Sequence, residues 1–163
     1  MRVGPLSSIE IIVGKTLAYL LVGAVVGAAL VAASAIAIGV PLAGSIGYLT
    51  AVCVGVLLSS LALGMIFAIV SKSESQAVQY AMLALLAGLF FSGFILPIDG
   101  LHFPVKAISY LLPVTYGISG LQDIMLRGQA PEIETLYGLG ALVLGYGLIA
   151  VIGLRRRLRT SKG

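Results

Sequence analysis

Few residues of this chain have the types and spacing that catalysis requires. Gly14-Lys15-Thr16 ends like a phosphate-binding loop, but that motif needs a further glycine at a position occupied by Ile9. Lys15 instead suits the mouth of an apolar span, because its stem can lie along apolar surface while its ammonium reaches water. The sequence therefore predicts no nucleotide site here.

The residues that bind metals or act as nucleophiles are equally sparse. His102 and Cys53 are the single histidine and cysteine; His102 falls in a predicted loop near Asp99, whereas Cys53 falls in an apolar run. We therefore expect no metal site and no intrachain disulfide. Ser92-Gly93 has the form of a nucleophile flanked by glycine, but no apolar run contains a histidine. We expect no catalytic residue, no cofactor and no enzyme activity in this chain.

Composition indicates a protein built for lipid. Hydrophobic residues make up 60% of the 163 residues, charged residues 10%, and the mean hydropathy is +1.13. Soluble domains usually have about a quarter of their residues charged. The net charge is +4, and five of the ten basic residues lie in the last nine positions, after an apolar run. Such a cluster is typical of a cytoplasmic anchor beside anionic lipid, so we expect no nucleic-acid partner.

Four segments are long and apolar enough to cross a bilayer, which takes roughly 20 residues. The predicted spans are about 17–38, 46–70, 77–96 and 136–154. The fold class is therefore an all-α membrane protein with four transmembrane helices. We divide it into a cytoplasmic segment 1–16, a transmembrane domain 17–154 and a basic cytoplasmic tail 155–163.

Charge asymmetry predicts the orientation in the cell membrane. With both termini in the cytoplasm, the inner side carries eight basic residues and the outer side only Lys106 and Arg127. This distribution follows the positive-inside rule. The sequence thus predicts a multi-pass plasma-membrane protein with both termini cytoplasmic.

The predicted outside loop, 97–135, is unusually apolar for a loop. We expect two short helices flanking Pro113, which lie in the interface or re-enter the membrane partway. Tyr110 and Tyr116 suit the headgroup region, where aromatic rings with a polar tip prefer to lie. A plain extracellular loop is the alternative.

None of the four predicted spans contains an acidic, basic or histidine side chain. Ion-coupled transporters normally keep ionisable residues at membrane depth. Their absence disfavours a small transporter driven by an ion gradient, so the energy for any transport would come from a partner.

Three segments, in order, resemble the permease family of ABC type-2 exporters. The first is Pro5 to Lys15, which is similar to the end of the family's cytoplasmic coupling segment. The second is Gln76 to Pro97, with Ser92-Gly93-Phe94 and its closing proline. The third is Leu111 to Tyr116, which continues to Leu126-Arg127-Gly128 and resembles the family's outside re-entrant helices.

The resemblance implies a transmembrane permease subunit of an ATP-driven exporter. Such a subunit pairs as a homo- or heterodimer and works with a separate cytoplasmic ATP-binding subunit, which hydrolyses the ATP. Carried over to this sequence, the ATPase contact comprises Pro5, Leu6, Ser7, Ser8 and Glu10. The outer gate comprises Pro97, Tyr110, Pro113 and Tyr116.

One departure from the family pattern is clear. Family members usually have six spans, and this chain corresponds to the last four, with residues 1–16 as a remnant of the coupling segment. We therefore expect a truncated subunit, or a companion polypeptide that supplies the other spans. The alternative function is a non-transporting assembly or structural subunit, or an inactive fragment. The pattern leaves the substrate open.

Overall fold

A computed structural model describes residues 8–37, 39, 44–93, 95, 100 and 102–160. Pro5, Leu6, Ser7 and Pro97 lie outside these residues. The described part is helical and contains no strand, which confirms the all-α class. Its elements are α1 (Ser8–Ala37), α2 (Ile46–Val70), α3 (Glu74–Phe91), α4 (Val105–Leu111), α5 (Pro113–Leu121), a π-helical segment (Gln122–Leu126) and α6 (Ile133–Thr160).

Serine side chains cap the helices that begin after short loops. The hydroxyl of Ser45 accepts a hydrogen bond from the Gly47 amide at the start of α2. The hydroxyl of Ser73 accepts from the Gln76 amide at 3.3 Å, and the Gln76 side chain accepts from the Lys72 amide at 2.7 Å. Such reciprocal capping satisfies amides that have no helical partner. As a result, α3 begins at Glu74, three residues before the predicted span 77–96.

Helices α2 and α6 form the centre of the bundle and run parallel. A side chain at Gly55 would meet Leu139, and one at Gly153 would meet Ile69. The two contacts are equally far apart along α2 and α6 and come in the same order in both, so the helices run in the same direction. Close approach at glycine is typical of helix packing in lipid. The parallel arrangement places the ends of α2 and α6 together, with Lys72 near the basic end of α6.

The other helices pack around this pair. Helix α1 lies antiparallel to α2, with Gly23 against Leu57, and has no buried residue along its apolar stretch. Helix α3 follows the turn after α2, where the rings of Phe67 and Tyr80 lie 6.1 Å apart. Large apolar side chains are exposed on α1, α2, α3 and α6. A surface of this kind fits lipid rather than water.

Three helices are long and apolar enough to cross a membrane: Thr16–Ala37, Ile46–Val70 and Ile133–Arg156. These match three of the four predicted spans, and they make the chain a multi-pass membrane protein. The remaining predicted span corresponds to α3, which has 18 residues and is not among the three. Its first turn is polar, with Glu74 and Gln76, which shortens the apolar stretch.

Candidate functional site

The region around α4 and α5 is built on a helix break at Leu112 and Pro113. Proline has no amide hydrogen, so α4 cannot continue through it, but proline suits the first position of the next helix. Leu112 accordingly adopts an extended conformation, with φ −93° and ψ 121°. The two short helices expected on either side of Pro113 are present.

Three side-chain hydroxyls compensate for the hydrogen bonds that this break removes. Thr115 Oγ1 donates to the Ser109 carbonyl at 2.6 Å, and the Tyr116 hydroxyl donates to the Tyr110 carbonyl at 3.0 Å. The hydroxyl of Tyr146, on α6, donates to the Leu111 carbonyl. The last carbonyls of a helix otherwise lack partners. This hydroxyl cluster, Thr115, Tyr116 and Tyr146, therefore holds the break in a defined shape.

The Tyr116 ring occupies a space that only glycine leaves open. A β-carbon on Gly138 would overlap the ring of Tyr116. On its other side, the Tyr116 ring lies 6.4 Å from the ring of Tyr110. Burial raises the pKa of the Tyr116 hydroxyl, and Tyr110 raises it further. The hydroxyl thus keeps its proton and remains a donor.

Helix α5 packs closely on α2 through glycine. A β-carbon on Gly117 would lie 3.0 Å from Val56, and one on Gly120 would lie 3.1 Å from Val52. Glycine at both positions lets the helix backbones approach. The contacts hold α5 against the first half of α2. Helix α6 begins at the same end of the bundle.

A π-helical segment follows α5 and carries the site's ion pair. Arg127 donates to the Asp123 carboxylate at 2.7 Å; the Asp123 side chain is 8% exposed and that of Arg127 is 64% exposed. Segments of π-helix often mark functional sites. The Ile124 carbonyl lies so close to Gly44 that a β-carbon there would approach it to 2.6 Å. The turn before α2 therefore packs on the π-helical segment.

Two cavities of about 550 Å³ each flank α5. The polar cavity is lined by residues that include Tyr110, Thr115, Asp123, Arg127, Glu132 and Glu134. The apolar cavity lies between α2, α3 and α5, and its lining includes Leu63, Gly64, Ala84, Leu85, Gly88 and Val114. Ser92, at the end of α3, and Ile118, in α5, line both cavities.

Two buried serine hydroxyls in this region lack a hydrogen-bond partner among the described residues. They belong to Ser92, at the end of α3, and Ser109, in α4. Both residues are at most 1% exposed. A buried hydroxyl without a partner is costly.

The residues predicted for the site are distributed as follows. The structure brings Tyr110, Pro113 and Tyr116 together at the helix break, whereas their gate role stays a prediction. Ser8 and Glu10 lie in the first turns of α1. Sequence reasoning did not assign roles to Thr115, Tyr146 or Asp123. The signals available were the hydroxyls beside Pro113 and a tyrosine within an apolar span.

No group of three or more metal-binding side chains occurs in the described part of the chain. The arrangement instead offers a constrained helix break, a polar cavity and an apolar cavity.

The profile of the "ABC-2 type transporter" family matches residues 1–126. The chain belongs to this family. It is 29% identical over 143 residues to the "Probable multidrug ABC transporter permease YbhS" of Escherichia coli strain K12, which covers 85% of this chain and 38% of that protein. The match to the protein of the same name in strain O157:H7 has the same identity and coverage.

A more distant relative is eukaryotic. The chain is 25% identical over 127 residues to "ABC transporter G family member 20" of Dictyostelium discoideum, covering 76% of this chain and 17% of that protein. The chain thus spans well under half the length of these curated relatives. No solved structure matches it significantly.

Proposed function

We propose that this chain is a transmembrane permease subunit of an ATP-driven ABC type-2 exporter. The observation that carries the proposal is the family match over 1–126, which includes α1 to α5. The apolar stretches add support, because 16–71, 77–96 and 136–154 contain no acidic, basic or histidine side chain. Energy for transport therefore comes from a separate cytoplasmic ATP-binding subunit, which hydrolyses the ATP.

The proposed orientation places both termini in the cytoplasm and has α3 cross as the fourth span. Contact between Gly153 and Ile69 joins the basic end of α6 to the end of α2, and Lys72 follows directly. The acidic residues Asp123, Glu132 and Glu134 lie at the opposite end. This separation of charge supports the orientation through the positive-inside rule.

The ATPase contact is proposed at the start of the chain. Pro5, Leu6 and Ser7 precede α1, and Ser8 and Glu10 lie in its first turns. Because α1 is antiparallel to α2, these turns lie at the same end of the bundle as Lys72. A permease dimer would present two such segments to two ATP-binding subunits.

The outer gate is proposed at the helix break, with Pro97, Tyr110, Pro113 and Tyr116. Support comes from the hydroxyl cluster. In a continuous helix, backbone hydrogen bonds would hold the carbonyls at the end of α4, whereas here side-chain hydroxyls hold them. Displacing α6 would withdraw the Tyr146 hydroxyl from α4 and loosen the break. The re-entrant placement of α4 and α5 belongs to the same proposal.

The cargo is proposed to be a small molecule. The name of the Escherichia coli relative, a probable multidrug permease, supports this class for the chain. A non-transporting assembly or structural subunit is the competing function, since it would need the same bundle but no ATPase.

The deciding experiment is affinity purification of the full chain from native membranes, followed by mass spectrometry of its companions. We expect a cytoplasmic ATP-binding subunit in the eluate, and we expect Glu10→Lys to reduce its recovery several-fold by reversing a charge at the contact. Gln129→Lys is the control, because this exposed position lies near the opposite end of the bundle. If no ATPase is recovered with the unmodified chain, the exporter proposal fails and the structural-subunit function stands.

A further inference from the structure

The ends of α2 and α6 carry a concentration of positive charge. Helix α2 ends at Val70 and is followed by Lys72, and the apolar stretch of α6 ends at Leu154. Four basic residues come directly after this stretch, within the last turns of α6: Arg155, Arg156, Arg157 and Arg159. Among the described residues, the acidic ones at this end are Glu10 and Glu74. The net charge is thus positive just beyond the hydrocarbon edge, at the depth of the lipid headgroups.

A contact between the two helices sets where these charges lie relative to one another. A β-carbon on Gly153 of α6 would lie 3.2 Å from Ile69 of α2. Lys72 and Arg156 each come three residues after this contact, so they lie next to each other where the parallel helices end. Both are exposed, and the Lys72 ammonium makes no ion pair within the described part of the chain. Neighbouring like charges repel, so an anion between them would be stabilised.

An apolar face of α6 leads from the bilayer to these charges. Ile149, Ile152 and Arg156 are spaced by three and four residues, so they lie on one face of the helix. The side chains of Ile149 and Ile152 are 54% and 51% exposed, so this face is open to lipid. An acyl chain that lies along it would therefore bring its headgroup to Arg156 and Lys72.

We propose that the ends of α2 and α6 form a binding site for an anionic phospholipid. The lipid phosphate lies between Lys72 and Arg156, and one acyl chain lies along Ile149 and Ile152. Charge-assisted hydrogen bonds from the guanidinium and the ammonium hold the phosphate. Basic sites of this kind between transmembrane helices suit anionic headgroups, whereas a zwitterionic headgroup brings a cation that the other arginines repel. The bound lipid links α2 to α6, and the site does not depend on exporter activity.

The test is native mass spectrometry of the full chain in detergent, titrated with phosphatidylglycerol or with phosphatidylcholine of the same acyl chains. We expect the dissociation constant of phosphatidylglycerol to be about tenfold lower, because only this lipid has a net negative charge. Inorganic phosphate at millimolar concentration should not displace the lipid, since it has no acyl chain. Equal dissociation constants for the two lipids, or full displacement by inorganic phosphate, would overturn the lipid site.

Variants that each remove one charge separate this site from a general attraction to positive charge. Lys72→Gln and Arg156→Gln should each weaken phosphatidylglycerol binding about fivefold. Two controls should change it by no more than about twofold. Arg155→Gln lies about 160° around α6 from Gly153, on the side away from α2, and Lys106→Gln lies on α4 at the opposite end of the bundle. Equal losses in all four variants would overturn the site.

Thermal unfolding tests whether the lipid links the two helices. Phosphatidylglycerol should raise the unfolding temperature of the unmodified chain above that in phosphatidylcholine, and either Lys72→Gln or Arg156→Gln should remove this increase. In phosphatidylcholine both variants should unfold at the temperature of the unmodified chain, which shows that they are folded. If Arg156→Gln weakens binding and Lys72→Gln does not, α6 alone attracts the lipid and the site between the two helices is overturned.

Discussion

At the scale of single residues, the helix break depends on hydroxyl groups from two different helices. Thr115 and Tyr116 come from α5 itself, so their bonds to α4 are local. Tyr146 comes from α6 and reaches the Leu111 carbonyl across 35 positions of sequence. This one contact therefore ties the shape of the helix break to the position of a transmembrane helix.

Replacing Tyr146 by Phe should loosen this connection without changing the packing of the ring. The Leu111 carbonyl loses its donor, and one hydrogen bond between helices contributes about 1 kcal/mol. We expect thermal unfolding of the purified chain in detergent to shift to lower temperature by the equivalent amount. Tyr137→Phe is the control, because the Tyr137 side chain is 76% exposed on the same helix. Equal shifts in the two variants would mean that the Tyr146 hydroxyl contributes nothing to the break.

At the scale of elements, the position of α5 relative to α6 depends on the absence of a side chain at Gly138. The nearest atom to a β-carbon there belongs to the rigid Tyr116 ring, which that carbon would overlap. Gly138→Ala should therefore displace the ring and its bond to Tyr110, at a cost of about 1–3 kcal/mol in the free energy of unfolding. Circular dichroism during thermal unfolding measures the change.

The matched control for this substitution lies two residues further along the same helix. A β-carbon at Gly140 meets nothing within 4 Å, so Gly140→Ala should be neutral or slightly stabilising, since alanine favours helix. Tyr116→Ala should in turn remove most of the cost of Gly138→Ala, because the clashing ring is gone. Additive losses in the double variant would show that the two positions are independent.

Sequence patterns predicted the elements better than their contacts. Apolar length located α1, α2 and α6, and Pro113 located the junction of α4 and α5. Helix α3 begins at Glu74, ahead of the apolar stretch, because Ser73 and Gln76 cap it there. The hydrogen bond from Tyr146 to Leu111 depends on how α6 packs, and the sequence periodicity of α6 does not predict this bond. The same is true of the cavities, which arise from helix spacing rather than from any motif.

At the scale of the whole molecule, the bundle has two chemically different ends. Lys72 and the basic end of α6 share one end, whereas Asp123, Glu132 and Glu134 lie at the other. The apolar surface between them has the length of a bilayer, because 25 residues of α2 rise about 37 Å. Helix α3, at 18 residues, rises about 27 Å. It must therefore use most of its length to connect the two ends. Whether the chain has three or four spans depends on α3.

Cysteine labelling decides whether α3 crosses and whether α4 and α5 re-enter the membrane. In a Cys53→Ala background, single cysteines at Lys72, Phe103, Tyr110 and Tyr116 are exposed to a bulky, membrane-impermeant maleimide. Reaction requires a thiol in contact with water. Phe103→Cys should react in intact cells, since Phe103 is 85% exposed, and Lys72→Cys only after the membrane is permeabilised. Reaction of both from the same side would mean that α3 does not cross.

The two tyrosine positions report on α4 and α5 in the same experiment. Tyr116→Cys should react more slowly than Phe103→Cys, because its position is half-buried between α4 and Gly138 of α6. Tyr110→Cys should react slowly if α4 lies in the interface, where the reagent has limited access. Free labelling of both positions, at the rate of Phe103→Cys, would place α4 and α5 in water. The gate proposal would then lose its membrane setting, whereas the hydroxyl cluster would remain as a purely structural feature.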